Sequence, residues 1–161
     1  MKKSAVHSPK ATAGGKPQKT PGSRTQKRLG ELAELAFLYK AASMGFAVSK
    51  PYGDSERFDF IVSSAPHIWR VQVKSIYKAA KNGYGIHSCE VYVPRDVDFI
   101  VVYLVPENAW YLIPIKAVGG RHALYFYPHG SRTGKCRYEK YREAWWLMKP
   151  DLKLDVAKNP G

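Results

Sequence analysis

Residues 57–75 run Arg57-Phe58-Asp59-Phe60-Ile61-Val62, then a turn-rich Ser63-Ser64-Ala65-Pro66-His67, then, past Ile68, Trp69-Arg70-Val71-Gln72-Val73-Lys74-Ser75. Strand side chains alternate between two faces, so Phe58, Phe60 and Val62 share a face that Asp59 avoids, and Trp69, Val71 and Val73 oppose Arg70, Gln72 and Lys74. Two half-buried strands joined by a short turn predict an antiparallel hairpin, and only one register parity gathers the six apolar side chains on one face. That parity also gathers Asp59, Gln72 and Lys74. A carboxylate, an amide oxygen and an ammonium on rigid strands can hold a metal ion beside a reacting group. The same letters also describe a plain exposed face with a cross-strand Lys-Asp pair, contributing roughly 0.2–1 kcal/mol and no chemistry.

A resemblance separates the two readings. Asp, about a dozen residues, then acid-x-Lys inside apolar strands resembles the PD-(D/E)xK nuclease superfamily, here with Gln72-Val73-Lys74 in the acid-x-Lys slot. The resemblance runs from about Arg28 to about Trp146. The Gln-x-Lys variant resembles the group I intron-associated homing endonucleases, and the wider plan resembles archaeal Holliday-junction resolvases. This implies an α/β (α+β) fold with a restriction-endonuclease-like core, a mixed central sheet of about five strands flanked by helices. It also implies a Mg-dependent endodeoxyribonuclease whose catalytic residues are Glu34, Asp59, Gln72 and Lys74. Glu34, Asp59 and the Gln72 side-chain oxygen would be the ligands of Mg²⁺ or Mn²⁺, and Lys74 would orient the attacking water or stabilise the transition state. Gln72 in place of a glutamate removes one negative charge, so metal binding should be weaker. The implied partner is DNA, in duplex form, with homo-oligomers (dimer or tetramer) allowed. The alternatives are a nuclease-derived module that holds DNA without cutting and a basic RNA-binding structural protein.

Composition agrees. The 161 residues carry 26 Lys plus Arg against 13 acids, a net charge of +13, which favours a polyanionic partner. Hydrophobic content of 45% suffices for one core. Cys89 and Cys136 lack metal-site or disulfide-framework spacing. No apolar run approaches the ~20 residues needed to cross a bilayer, and the basic N-terminus lacks a secretory apolar core, so a soluble, cytoplasmic protein without membrane contact is expected.

Residues 1–24 should form a disordered basic arm, 25–149 the nuclease-like domain and 150–161 a polar tail. Met1–Arg28 holds eight basic residues and no acid, leaving 18 against 13 elsewhere, so the arm supplies most of the excess charge. Ser23-Arg24-Thr25-Gln26 has capping-box spacing and Gly45 is a helix stop, predicting a helix over about Thr25–Met44. Of its two acids, Glu31 has Lys27 and Arg28 as neighbours, whereas Glu34 faces Phe37 and Leu38, where a carboxylate needs a partner. In resembling nucleases a helical Glu eleven positions before the Gly-aromatic stop reaches the metal site, and Glu34 lies eleven before Gly45-Phe46. Asp54 competes with Asp59, but it follows Gly53 in a turn, where Asp is common for conformational reasons. Ala47–Ser49 reads as a short strand, and another should carry His87 and Cys89 on to Val93. The continuously apolar Phe99–Val105 should be the sheet's centre, Trp110–Ile115 should pair back on it, and Ala123–Tyr127 could add an edge strand. Tyr138–Met148 reads as a helix docking Trp145, Trp146 and Leu147 on the core. Lys78, Lys81, Arg132, Lys135 and Arg137 lie among aromatics or glycines and are candidate phosphate contacts.

Overall fold

The computed structural model describes residues 21–53, 55–80, 83–87, 91–131, 134 and 136–149, with side chains from Thr25 onward. Its frame is a mixed five-stranded sheet in the order β1-β2-β3-β5-β6. The strands are β1 (Ala47–Ser49), β2 (Phe60–Ser64), β3 (His67–Ile76), β5 (Phe99–Leu104) and β6 (Ala109–Pro114). All neighbours are antiparallel except β3 and β5, which run parallel. β4 (Tyr84–His87) pairs with β7 (Ala123–Phe126) in a separate two-stranded sheet, so Ala123–Phe126 is not an edge of the main one. The centre is β3, not the Phe99 strand, because β6 is the last strand beyond β5. β5 is nonetheless covered on both faces, as its unbroken apolar run requires.

Two cores follow from the alternation along the strands. On one face Phe60, Val62, Val71, Val73, Phe99, Val101, Trp110 and Leu112 pack under helix α1 (Pro21–Ser43) through Ala33, Phe37 and Ala41. Phe37 is fully buried, its ring 5.3 Å from Phe60 and 6.1 Å from Trp145. Burial of a side chain of this size contributes roughly 1.5–3 kcal/mol. On the other face Ile76, Ile100, Val102, Leu104, Tyr111 and Ile113 pack under the β4/β7 pair and the short helix α2 (Ile115–Val118). Asp98 ties β3 to the start of β5, accepting from the Arg70 backbone N–H at 2.8 Å and from the Arg70 guanidinium at both carboxylate oxygens.

Several local expectations need correction. α1 begins at Pro21, ahead of the expected Thr25, and a proline suits a first helical turn because its missing N–H is not needed there. The helix ends as expected: Phe46 N–H donates to Ala41 O, Gly45 N–H donates to Ala42 O, and Gly45 takes φ of +87°, which glycine adopts without a Cβ penalty. Phe58 precedes β2 and packs on the second core, so five rather than six of the hairpin's apolar residues share the first face. Residues 91–93 are not strand, and Cys89 lies outside the described residues. The segment Tyr138–Met148 forms two 3-10 turns, Glu139–Tyr141 and Trp145–Met148, rather than one helix. Glu143 breaks it at φ of +49°, its N–H donating to Trp110 O and its carboxylate accepting from Trp110 N–H and Trp145 Nε1. Trp145 is buried, whereas Trp146 is 67% exposed.

Candidate active site

The hairpin register pairs Phe60 with Val71 and Val62 with Trp69, which sets Asp59 opposite Gln72. Asp59 N–H donates to Val71 O, anchoring its backbone, and its Oδ2 accepts from Val73 N–H at 2.7 Å and from Gln72 Nε2 at 2.5 Å. Among the described residues, Asp59 Oδ1 and Gln72 Oε1 carry no hydrogen bond. Gln72, 8% exposed, is the buried polar residue of the sheet, and Asp59 satisfies its amide N–H.

Glu34 reaches the same end of the sheet from α1. Its side chain is 24% exposed and accepts from Lys50 Nζ at 2.7 Å. Glu31 is an exposed helix charge 3.9 Å from Lys27. Burial pushes the Asp59 carboxyl above its ordinary value and the like charge of Glu34 adds to this, while Val73 N–H, Lys74 and Gln72 pull it down. Asp59 thus senses Glu34 and Lys74 together, although neither forms a direct bond to it. The Lys74 ammonium lies 5.4 Å from the Tyr92 ring centroid, and the Arg57 guanidinium lies 5.7 Å from the same ring. Arg57 also pairs with Asp96 at 3.0 Å.

Two carboxylates, a free amide oxygen and a nearby ammonium are therefore brought together at one sheet end. These are hard oxygen donors, suited in kind to a divalent cation that retains several waters. Among the described residues no group of three or more His, Cys, Asp or Glu is placed to hold a metal ion. Lys50 escaped the sequence reading. It follows β1, and its meeting with Glu34 is set by the pairing of β1 with β2 rather than by a local pattern.

The other candidates lie apart or outside. Lys78 and Arg137 are exposed, and Arg137 borders a basic groove beside α2. Lys81, Arg132, Lys135 and Asp54 are outside the described residues. His87 sits exposed at the end of β4, 3.5 Å from Tyr125 OH. No described helix is long and apolar enough to cross a membrane.

Comparison with known proteins bears on the fold and the family. A bacterial homing endonuclease, I-Ssp6803I, superimposes with a TM-score of 0.70 at 27% identity, over 83% of this chain and 97% of that one. The structure of MepB aligns over 71% of this chain and 93% of that one, with 10% identity and a TM-score of 0.34. No curated protein matches significantly. The model of the PD-(D/E)XK endonuclease family matches residues 24–148, which take in most of α1, the whole five-stranded sheet and the span from Asp59 to Lys74. With its sheet order, its helix across β1 to β3 and most of its length within that match, the chain belongs to the PD-(D/E)XK endonucleases and acts as a nuclease on nucleic acid.

Proposed function

We propose that the protein hydrolyses phosphodiester bonds of duplex DNA with the help of Mg²⁺ or Mn²⁺. The observation that carries this is the Asp59 carboxylate, pinned through Oδ2 by Val73 and Gln72 with Oδ1 open, and close enough to Glu34 and Lys74 to sense both charges. Divalent metals are general in this family, and Glu34, Asp59 and Gln72 are the residues that would hold one. When bound, such an ion lowers the pKa of a coordinated water and neutralises charge developing on the phosphate.

The chain's own groups do the rest. Val73 N–H and the Gln72 amide fix the Asp59 carboxylate, so its open oxygen has one direction. Lys50 offsets the charge of Glu34, which lets two carboxylates share one sheet end. Lys74, held over Tyr92, supplies a positive charge and three donors with which to orient water or to stabilise the phosphorane-like charge. One chain offers one such constellation, and cutting both strands of a duplex takes two hydrolytic events. A homo-oligomer, dimer or tetramer, meets that need, and Leu32, Leu35 and Tyr39 give α1 exposed apolar surface to bury in one. Light scattering of the purified protein tests the assembly.

The function is tested by incubating supercoiled plasmid with the protein and Mg²⁺, Mn²⁺ or EDTA. Nicked and linear products should form only with the ions. If neither ion supports cleavage of any DNA offered, the binding module takes the enzyme's place, and cleavage confined to RNA duplexes would overturn the DNA assignment.

A further inference from the structure

Beside α2 lies a groove bordered, among the described residues, by four cations and no acid. Lys116 and Arg121 reach it from α2 and the turn that follows, Arg137 and Lys140 from the segment around the Glu139–Tyr141 turn, and the cavity measures about 840 Å³. All four are exposed, and none makes an ion pair among the described residues. The nearby Glu139 is engaged elsewhere, its Oε2 accepting from Tyr111 OH at 3.0 Å and its Oε1 from Arg142 Nη1 at 3.3 Å. Four like charges around one groove repel each other, and a polyanion relieves that repulsion.

Arg121 is set in place rather than left to swing. Its Nη1 donates to Val118 O at 2.7 Å, at the C-terminal end of α2. Gly119 there takes φ of +62°, a left-handed conformation that glycine adopts without a Cβ penalty. The same Arg121 also borders a small cavity with Lys74, Tyr92 and His122. Arg121 thus borders both the Lys74 cavity and the basic groove. Lys140 is held with its ammonium 5.1 Å from the Tyr141 ring centroid.

We propose that this groove is a second phosphate-binding subsite that grips the sugar-phosphate backbone of the substrate duplex, with Arg121 linking it to the Lys74 end; the inference rests on the nuclease reading of that end. The volume exceeds what one phosphate needs and suits a run of backbone. Its charged side chains are all cationic donors, which suits the phosphate oxygens of a backbone.

The test is fluorescence anisotropy of the full-length protein with a labelled duplex of about 30 bp, in EDTA across a NaCl series, using DNA and RNA of the same sequence. Lys116→Ala, Arg121→Ala, Arg137→Ala and Lys140→Ala are measured singly and combined, alongside Arg121→Lys and Arg137→Lys, with thermal unfolding to confirm the fold. On DNA each lost contact should lower the log–log salt slope by about 0.9, and the combined variant by roughly 3–4, while the lysine replacements keep the slope. If the combined variant does not fold, the single variants give the slope contact by contact. A folded variant with the unmodified slope on both duplexes overturns the groove, as does an unmodified protein that binds neither. An unchanged slope with metal-dependent nicking intact sinks the groove alone. A reduced slope in a protein that never cuts supports the groove and sinks the endonuclease reading.

Discussion

Asp59 illustrates the tension between folding and chemistry within one side chain. Its carboxyl is raised above the ordinary 3.8 chiefly by burial, so ionising it costs the folded state something the unfolded chain does not lose. That stability is present below the unfolded value and is lost as pH rises through the raised folded one. Asp59→Asn does not titrate, and its carbonyl oxygen can accept from both Val73 N–H and Gln72 Nε2. In EDTA it should therefore melt level with the unmodified protein at acid pH and a few degrees higher at neutral pH, while plasmid nicking disappears. Equal melting temperatures at neutral pH would show that burial of this carboxylate carries no cost. Gln72→Glu restores a carboxylate of nearly the same shape and should tighten Mg²⁺ binding about tenfold by calorimetry, because ligand charge sets affinity at such sites. Lys74→Ala should keep that affinity, since an ammonium has no lone pair for a cation, yet lose about 10²–10³ in single-turnover cleavage. Lys74→Ala with intact cleavage would remove Lys74 from the mechanism.

At the scale of elements, the α1 to sheet contact positions Glu34. Phe37 is fully buried one helical turn beyond Glu34, against Phe60, Trp110 and Trp145. Phe37→Ala should cost about 3–5 kcal/mol in urea unfolding, and a loss below about 1 kcal/mol would mean that the cavity collapses freely. The hairpin was legible in the letters because period-two alternation is a local signal, and Phe60, Val62, Val71 and Val73 took the face it assigned. Phe58 did not, since a residue ahead of a strand is not bound by the strand's parity. Tyr138–Met148 has helical composition, but Glu143 bonds the β6 backbone from a left-handed conformation, a tertiary contact that outweighs local propensity. Lys50 was missed for the related reason that its meeting with Glu34 depends on how β1 pairs with β2, far from any local pattern.

At the scale of the whole molecule, charge is unevenly spread. Residues 1–20 include five lysines and no acid, and we propose that they act as a phosphate-attracting arm. Deleting Met1–Thr20, which leaves α1 whole, should preserve the melting temperature and lower the DNA salt slope by up to about 4. An unchanged slope would reduce the arm to a passive tail. The mixed sheet and the family were legible because the Asp59 to Lys74 spacing lies within one hairpin. The basic groove was not, because Lys116 and Arg121 join Arg137 and Lys140 only after the chain has folded back. The alternation along β3 finally bears on how such a gene would decay. Val71 and Val73 build the core while Gln72 and Lys74 lie on the opposite face, so the letters that fold the strand and those proposed to cut are interleaved along it. A lineage released from selection for cutting that exchanged Asp59 for asparagine would keep an acceptor for Val73 and Gln72, shed the cost of a buried charge, and persist as a folded, inert descendant.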